Sequence, residues 1–399
     1  MKLADGSHLT YCTNIHRGES WSETRAALGQ YLPSVKAQVA PEAPMGVGLR
    51  LSAIAAEELC RGEALAEFKD FLAASGLYVF TINGFPYGPF HGTRVKEEVY
   101  QPDWRFKERL DYSNRLADIL AELLPEEAGL EGSISTVPAT FGPIGREPGV
   151  ADAIAENLLR HTAYLAHLFE RTGKLIALAL EPEPMCYLET TEGAAQFVED
   201  RLYSRSPVAS LSALTGFLRS HSEEVLHRHL GVCVDVCHAA VEFETPADGF
   251  ARLARSGIPV SKLQLSAALR VPAVGRATRA ELQRFNDGVY LHQVVERRGD
   301  GSLTRFLDLD DAFASLDQAI GREWRVHCHV PVFEDALPAL ATTQDVLREV
   351  LALHKQSPIS RHLEVETYTF DVLPEELRDI PVDAAIAREL RWVKDRLAA

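Results

Sequence analysis

The sequence predicts an α/β protein built as a closed, parallel (β/α)8 barrel, and three observations carry that expectation. Eight short apolar runs alternate with longer amphipathic segments, the rhythm of parallel strands joined by crossover helices. The runs are mostly apolar, as expected of strands covered on both sides. The chain is 399 residues long and 46% hydrophobic, enough to bury one large core or two smaller ones. An open doubly wound sheet fits almost as well from periodicity alone. Against its dinucleotide-binding version, no GxGxxG turn opens a helix, and no GxxxxGKS/T phosphate loop occurs.

The expected strands, in order, are 9–14 (LTYCTN), 46–51 (GVGLRL), 77–83 (LYVFTIN), 132–137 (GSISTV), 174–181 (KLIALALE), 231–236 (GVCVDV), 261–267 (SKLQLSA) and 362–367 (HLEVET), with a ninth run at 323–330 (EWRVHCHV). Helical patterns fall at 52–75, 104–125, 148–171, 208–228, 245–257, 340–356 and 382–397. The third is the clearest: apolar residues recur at three and four, and Gly173 follows its basic end. Two regions interrupt the pattern. Residues 84–103 form a long Gly/Pro/aromatic loop after the third strand, and 289–308 read as a hairpin insertion turning at RGDGS. Neither is apolar enough for its own core, so residues 1–399 are expected to form a single barrel domain.

A formal net charge of -16, from 57 acidic against 41 basic residues, makes nucleic acid or anionic lipid an unlikely general partner. The first residues lack the apolar centre of a secretory signal, and no later run is long enough to span a bilayer, so no integral membrane segment and a cytoplasmic location are expected. The six cysteines, at 12, 60, 186, 233, 237 and 328, include no CxxC pair and read as reduced core fillers.

The polar residues at strand ends say more about chemistry. Side chains two apart on a strand share a face, which aligns Glu181 with Glu183, Gln264 with Ser266, His327 with His329 and Glu364 with Glu366. Asp235 and His238 lie where GVCVDVCHAA passes from strand to turn. In a barrel such ends converge at one mouth, so Glu181, Asp235 and Glu366 would meet. Carboxylates buried together repel and lose water unless protons, basic groups or a cation compensate. A divalent ion held by carboxylates, the Gln264 amide oxygen and imidazole is the expected solution, with manganese or zinc favoured over magnesium and no organic cofactor. Each position also has a plainer reading: solvated loop acids for Glu181 and Glu183, an outward edge pair for His327 and His329, a turn-capping pair for Asp235 and His238, and a surface charge for Glu364.

The segments ALEPEP at 179–184, DVCH at 235–238 and LEVETY at 363–368 resemble the xylose-isomerase-like barrel superfamily, DVCH matching its DTxH segment with Val236 in place of threonine. Over nearly the whole chain the sequence resembles the EboE family of metabolite traffic proteins, through residues 3–21, 80–104, HCHVPVF at 327–333 and LEVETYTFDVLP at 363–374. The resemblance implies metal ligands at Glu181, Asp235 and Glu366, with Gln264 standing where a histidine or other ligand is common and His329 as its replacement. It also implies a small metabolite as ligand and protein partners in a metabolite-traffic pathway, and leaves the oligomeric state open.

Around the mouth, Asn14, His16, Arg50, Asn83, His91, Arg94 and His327 are candidate substrate contacts, the arginines for a carboxylate or phosphate. The leading reaction is metal-dependent isomerisation or epimerisation of a small polar metabolite, with Glu181 and Glu366 as acid and base and His238 orienting the substrate. Two alternatives stand beside it: a phosphoester hydrolase of the endonuclease-IV-like type, which would use more than one metal, and a non-catalytic metabolite-handover protein.

Overall fold

Eight parallel strands form the barrel: β1 (His8–Tyr11), β2 (Met45–Arg50), β3 (Leu77–Asn83), β4 (Gly132–Thr136), β5 (Ile176–Leu180), β6 (Leu230–Asp235), β7 (Val260–Leu265) and β8 (His362–Val365). The structure is a computed structural model describing residues 1–90, 96–127, 129–286, 288–337, 339–370, 373–375 and 378–398. Hydrogen bonding runs β1-β8-β7-β6-β5-β4-β3-β2: β3 to β8 each pair with their predecessor in the chain, and β8 also pairs with β1. The ring closes between β1 and β2 through a side chain: Thr10 Oγ1 donates to Gly46 O (2.8 Å) and accepts from Gly48 N (3.0 Å), and Cys12 bridges to Gly48. Glycine is required there, because a Cβ on Gly48 would lie 1.8 Å from Glu364 Oε2 and 2.7 Å from Tyr11 O.

The strands were expected to be apolar on both faces, and here the structure differs. The outward positions, such as Leu9, Val47, Leu178, Val232, Leu263 and Leu363, join the main hydrophobic core. Many inward positions are polar and pair with one another inside the barrel. His362 Nδ1 and Ser133 Oγ are 2.7 Å apart, Ser133 meets Thr81 at 2.8 Å, and Lys262 Nζ lies 2.6 Å from Glu364 Oε1 and 3.2 Å from Ser135 Oγ. Glu364 is therefore fully buried rather than a surface charge. Such an interior is tolerable because its charges are paired and its hydroxyls hydrogen-bonded.

The ninth run is not a barrel strand. Glu323–His329 is the middle strand of a separate antiparallel sheet, with Ala268–Val271, Val294–Arg297, Leu303–Phe306 and Ala341–Thr342, all inserted between β7 and β8. The expected hairpin is part of this larger sheet. A register shift between Val326 and His329 re-aims the end of the strand.

Two long helical patterns are each broken in two. Residues 52–75 split into Ala53–Leu59 and Ala64–Ala74, and 208–228 into Arg205–Thr215 and Arg219–His229, with Gly62 and Gly216 at positive φ in the breaks. Helices Trp21–Val39 and Thr191–Arg201 were not anticipated; Pro33 inside the first obscures its pattern, although Ser20 and Glu23 form a capping box at its start. Among the described residues, no helix is long and apolar enough to cross a membrane.

Candidate metal centre

Three chain segments deliver acids to the C-terminal mouth, and a fourth delivers histidines. Glu181 and Glu183 follow β5 in Glu-Pro-Glu-Pro, where each glutamate precedes a proline and is held extended, so the pair shares a face. Asp235 ends β6 and caps the short helix Val236–Val241, its Oδ1 accepting from His238 N (3.0 Å) and Ser266 Oγ (2.7 Å). Glu366 follows β8, with Oε1 accepting from Asn14 Nδ2 (2.7 Å) and Asn83 Nδ2 (3.1 Å). The inserted sheet adds His327 and His329. These six side chains and that of His238 are all buried.

Ligand atoms of Glu181, Asp235 and Glu366 lie within 4.8 Å of one another, as do those of Asp235, His238 and His329, and those of Glu183, His238 and His327. Three of the atoms there, Glu181 Oε2, Asp235 Oδ2 and His329 Nε2, are buried without a hydrogen-bond partner. The histidines share one polarity. His238 Nδ1 faces Pro182 O (2.9 Å), His329 Nδ1 faces Glu366 O (2.8 Å), and His327 Nδ1 faces Gln293 Oε1 (2.7 Å). An oxygen acceptor requires N–H at Nδ1, so in each neutral ring Nε2 carries a lone pair. The Nε2 atoms of His238 and His327 then confront each other at 3.1 Å. Two lone pairs at that distance repel unless a proton or a cation satisfies them. Rings fixed by Nδ1–H to an oxygen, with Nε2 presented inward, are what a metal site requires of its histidines.

Protons are a poor answer for His238 and His327. Burial lowers His238 below the usual imidazole range, and burial with the neighbouring histidines lowers His327 well below it. Among the acids, burial and then Asp235 push Glu181 far above the ordinary carboxyl range, and burial, Glu181 and Asp235 do the same to Glu366. Burial raises Glu183 to about 7 against the opposing Tyr100 hydrogen bond. Asp235 goes the other way: burial would raise it, but His238, His329, the Ser266 hydroxyl and the His238 N–H hold it low. Asp235 is thus the acid shifted toward its charged form, while Glu181, Glu183 and Glu366 are shifted toward their protonated forms. The donor set of carboxylate oxygen and imidazole nitrogen fits a divalent ion such as manganese or zinc.

The expected site residues divide clearly. Asn14 and Asn83 brace Glu366, and Asn14 lines the mouth cavity with His327. Arg50 is directed elsewhere, bonding Gly18 O, Glu19 and Gly88 O, and His16 stacks on Tyr31; both line a different small cavity. His91 and Arg94 lie outside the described residues. Gln264 is buried in the barrel with Oε1 accepting from the Cys233 thiol (3.3 Å) and Nε2 unpartnered, so its amide oxygen is already engaged. Glu183 was aligned with Glu181 but given no site role, and its partners were not singled out: Tyr100 donates to Glu183 Oε1 (2.6 Å), and Gln293 joins Tyr100 to His327. The alternation already places Glu183 on the face of Glu181; nothing local in the sequence marks Tyr100 or Gln293. A larger cavity, about 790 Å³ against about 50 Å³ at the mouth, opens at the N-terminal end of the barrel, away from these donors.

No protein-family model and no curated protein sequence matches the chain. Similar solved structures include the IOLI protein with a bound zinc atom (12% identity, 98% of each chain, TM-score 0.47) and an N-terminally His-tagged D-allulose 3-epimerase from Methylomonas sp. in complex with D-allulose (12% identity, 98% of this chain and 97% of that one, TM-score 0.47). A third is the probable 3-DHS dehydratase AsbF from Bacillus anthracis (11% identity, 96% and 97%, TM-score 0.46). At these identities and scores the likenesses carry no argument about activity.

Proposed function

We propose that the chain is a metal-dependent isomerase or epimerase of the xylose-isomerase-like kind, acting on a small metabolite with adjacent oxygen atoms. The observation that carries this reading is that Asp235 belongs to two donor groups, one with Glu181 and Glu366 and one with His238 and His329, while Glu181 Oε2, Asp235 Oδ2 and His329 Nε2 are each buried without a hydrogen-bond partner. We assign His329, rather than Gln264, as the fourth ligand. A divalent ion held there would polarise a carbonyl and hold the neighbouring hydroxyl. Glu181 and Glu366 both line the mouth cavity, and either can take or return a proton on the carbon beside that carbonyl. Asn14 and Asn83 hold Glu366 Oε1, fixing the direction of its other oxygen. His238 orients the substrate from the side of Glu183. The EboE-like segments support a role in metabolite traffic, with partner proteins supplying or receiving the metabolite.

The test is solvent-deuterium incorporation, followed by proton NMR, into a panel of α-hydroxy carbonyl compounds incubated with manganese- or zinc-loaded protein. Exchange that is lost in Glu181→Gln and in chelated protein supports the reading; no exchange in any compound by fully loaded protein overturns it. One observation favours phosphoester hydrolysis instead: Glu183, His238 and His327 form a second donor group beside the first, as a two-ion hydrolase would need. Two ions per chain and cleavage of a simple phosphate ester would decide for that alternative.

A further inference from the structure

We infer that the ligand of this centre has a flat, largely apolar body attached to a single pair of adjacent oxygens, and is not a free polyhydroxylated sugar; the inference rests on the metal-centre reading above. The mouth cavity is narrow, about 50 Å³, and its described walls beyond the donor groups are Phe85, Pro86, Phe90, Val99, Tyr290, Leu291 and Tyr368 with a few polar side chains. Phe90, Tyr290 and Tyr368 pack as a ring cluster, with centroids 5.1 Å, 5.4 Å and 5.4 Å apart, and Tyr368 leans on His329 at 4.7 Å. The ring wall therefore reaches the metal donors themselves.

Most of the polar side chains in this lining are already committed. Lys96 pairs with Asp308. Tyr100 donates to Glu183, and Gln293 spans from Tyr100 and Pro184 O to His327. Asn14 spends its amide on Glu366 and keeps only Oδ1 without a partner. Tyr290 and Tyr368 add at most one hydroxyl each. A sugar carries a hydroxyl on nearly every carbon, each both donor and acceptor. Two of its oxygens would reach the metal; the rest would be desolvated against rings, and unmade buried hydrogen bonds weigh heavily against binding. A flat body meets the same rings with favourable contact.

The experiment uses a matched pair of probes, 2-hydroxyacetophenone and L-erythrulose, which carry the same α-hydroxyketone on an aromatic and a polyhydroxylated body. Isothermal titration into zinc-loaded full-length protein, freed of excess metal, should show 2-hydroxyacetophenone binding at least about tenfold more tightly. Val99→Asn, which adds a polar partner to the wall, should narrow that ratio without changing zinc content. L-Erythrulose binding as tightly or more tightly, or neither probe binding to protein that holds zinc, overturns the inference and leaves the metal centre standing. Failure to retain zinc at all overturns the metal-centre reading, and this inference with it.

Discussion

Glu366→Gln separates a metal ligand from a structural carboxylate by the sign of its effects. Glu366 Oε1 accepts from Asn14 and Asn83, and a glutamine oxygen in its place keeps both bonds. What changes is charge. Ligand atoms of Glu181, Asp235 and Glu366 lie within 4.8 Å, where two unit charges at an effective dielectric of ~20 repel by about 3 kcal/mol. Protons held by the raised carboxyls already remove part of this, so the amide should relieve about 1–3 kcal/mol in metal-free protein. The pH sign follows from the direction of the shift. Glu366 is raised on folding, so its protonated form contributes fully below the unfolded value near 4.5, and stability falls as pH rises above that. The variant's advantage should therefore be absent at pH 4 and present at pH 8. Denaturant unfolding of chelated protein at both pH values measures this, and competition with a chromophoric chelator should show zinc affinity reduced by at least ~100-fold. A chelated variant less stable than wild type at pH 8, with zinc affinity unchanged, would refute the argument.

Three further outcomes follow from the interior. Lys262→Met strands the Glu364 charge in the barrel and should cost about 3–5 kcal/mol in denaturant unfolding, most of it recovered in Lys262→Met/Glu364→Gln; an additive double variant would contradict the pairing. Glu389 is raised by burial to about 7, and its Oε1 accepts from Val332 N (3.1 Å) and Thr367 Oγ1 (2.7 Å). Glu389→Gln keeps both bonds, so it should match wild type below pH 4.5 and gain up to ~3 kcal/mol by pH 8, as wild type loses stability across that window; a pH-independent difference would be wrong for this account. Gly48→Ala presses a methyl against Tyr11 O and the pinned Glu364 carboxylate, and should destabilise by about 3 kcal/mol; a wild-type melting temperature would show that the β1–β2 seam can open.

The barrel was legible because crossover helices and short apolar runs leave a strong alternating pattern, and Glu181, Asp235 and Glu366 were legible because strand ends in a barrel meet. The polar interior was harder to see. Lys262, Ser133 and His362 alternate with apolar residues on their strands, but which face looks inward is decided only when the sheet closes. Glu323–His329 has the composition of a barrel strand and became the middle of another sheet, since composition does not specify neighbours. The spacing of His327 and His329 put them on one face of a strand, yet their Nδ1 partners, Gln293 Oε1 and Glu366 O, come from other segments. Arg50 illustrates the opposite error. A lone arginine at a strand end suggested an anion site, while the fold spends it on Gly18, Glu19 and Gly88.

The central claim is that Glu181, Asp235, His329 and Glu366 together hold a divalent ion. Anomalous X-ray diffraction from metal-replete crystals grown without chelator, at energies bracketing the manganese, iron and zinc edges, tests it most directly. The account predicts a transition-metal peak within bonding distance of Glu181 Oε2, Asp235 Oδ2 and His329 Nε2, the atoms buried without partners. No anomalous peak under those conditions, with these side chains turned apart or hydrogen-bonded to one another, would contradict it.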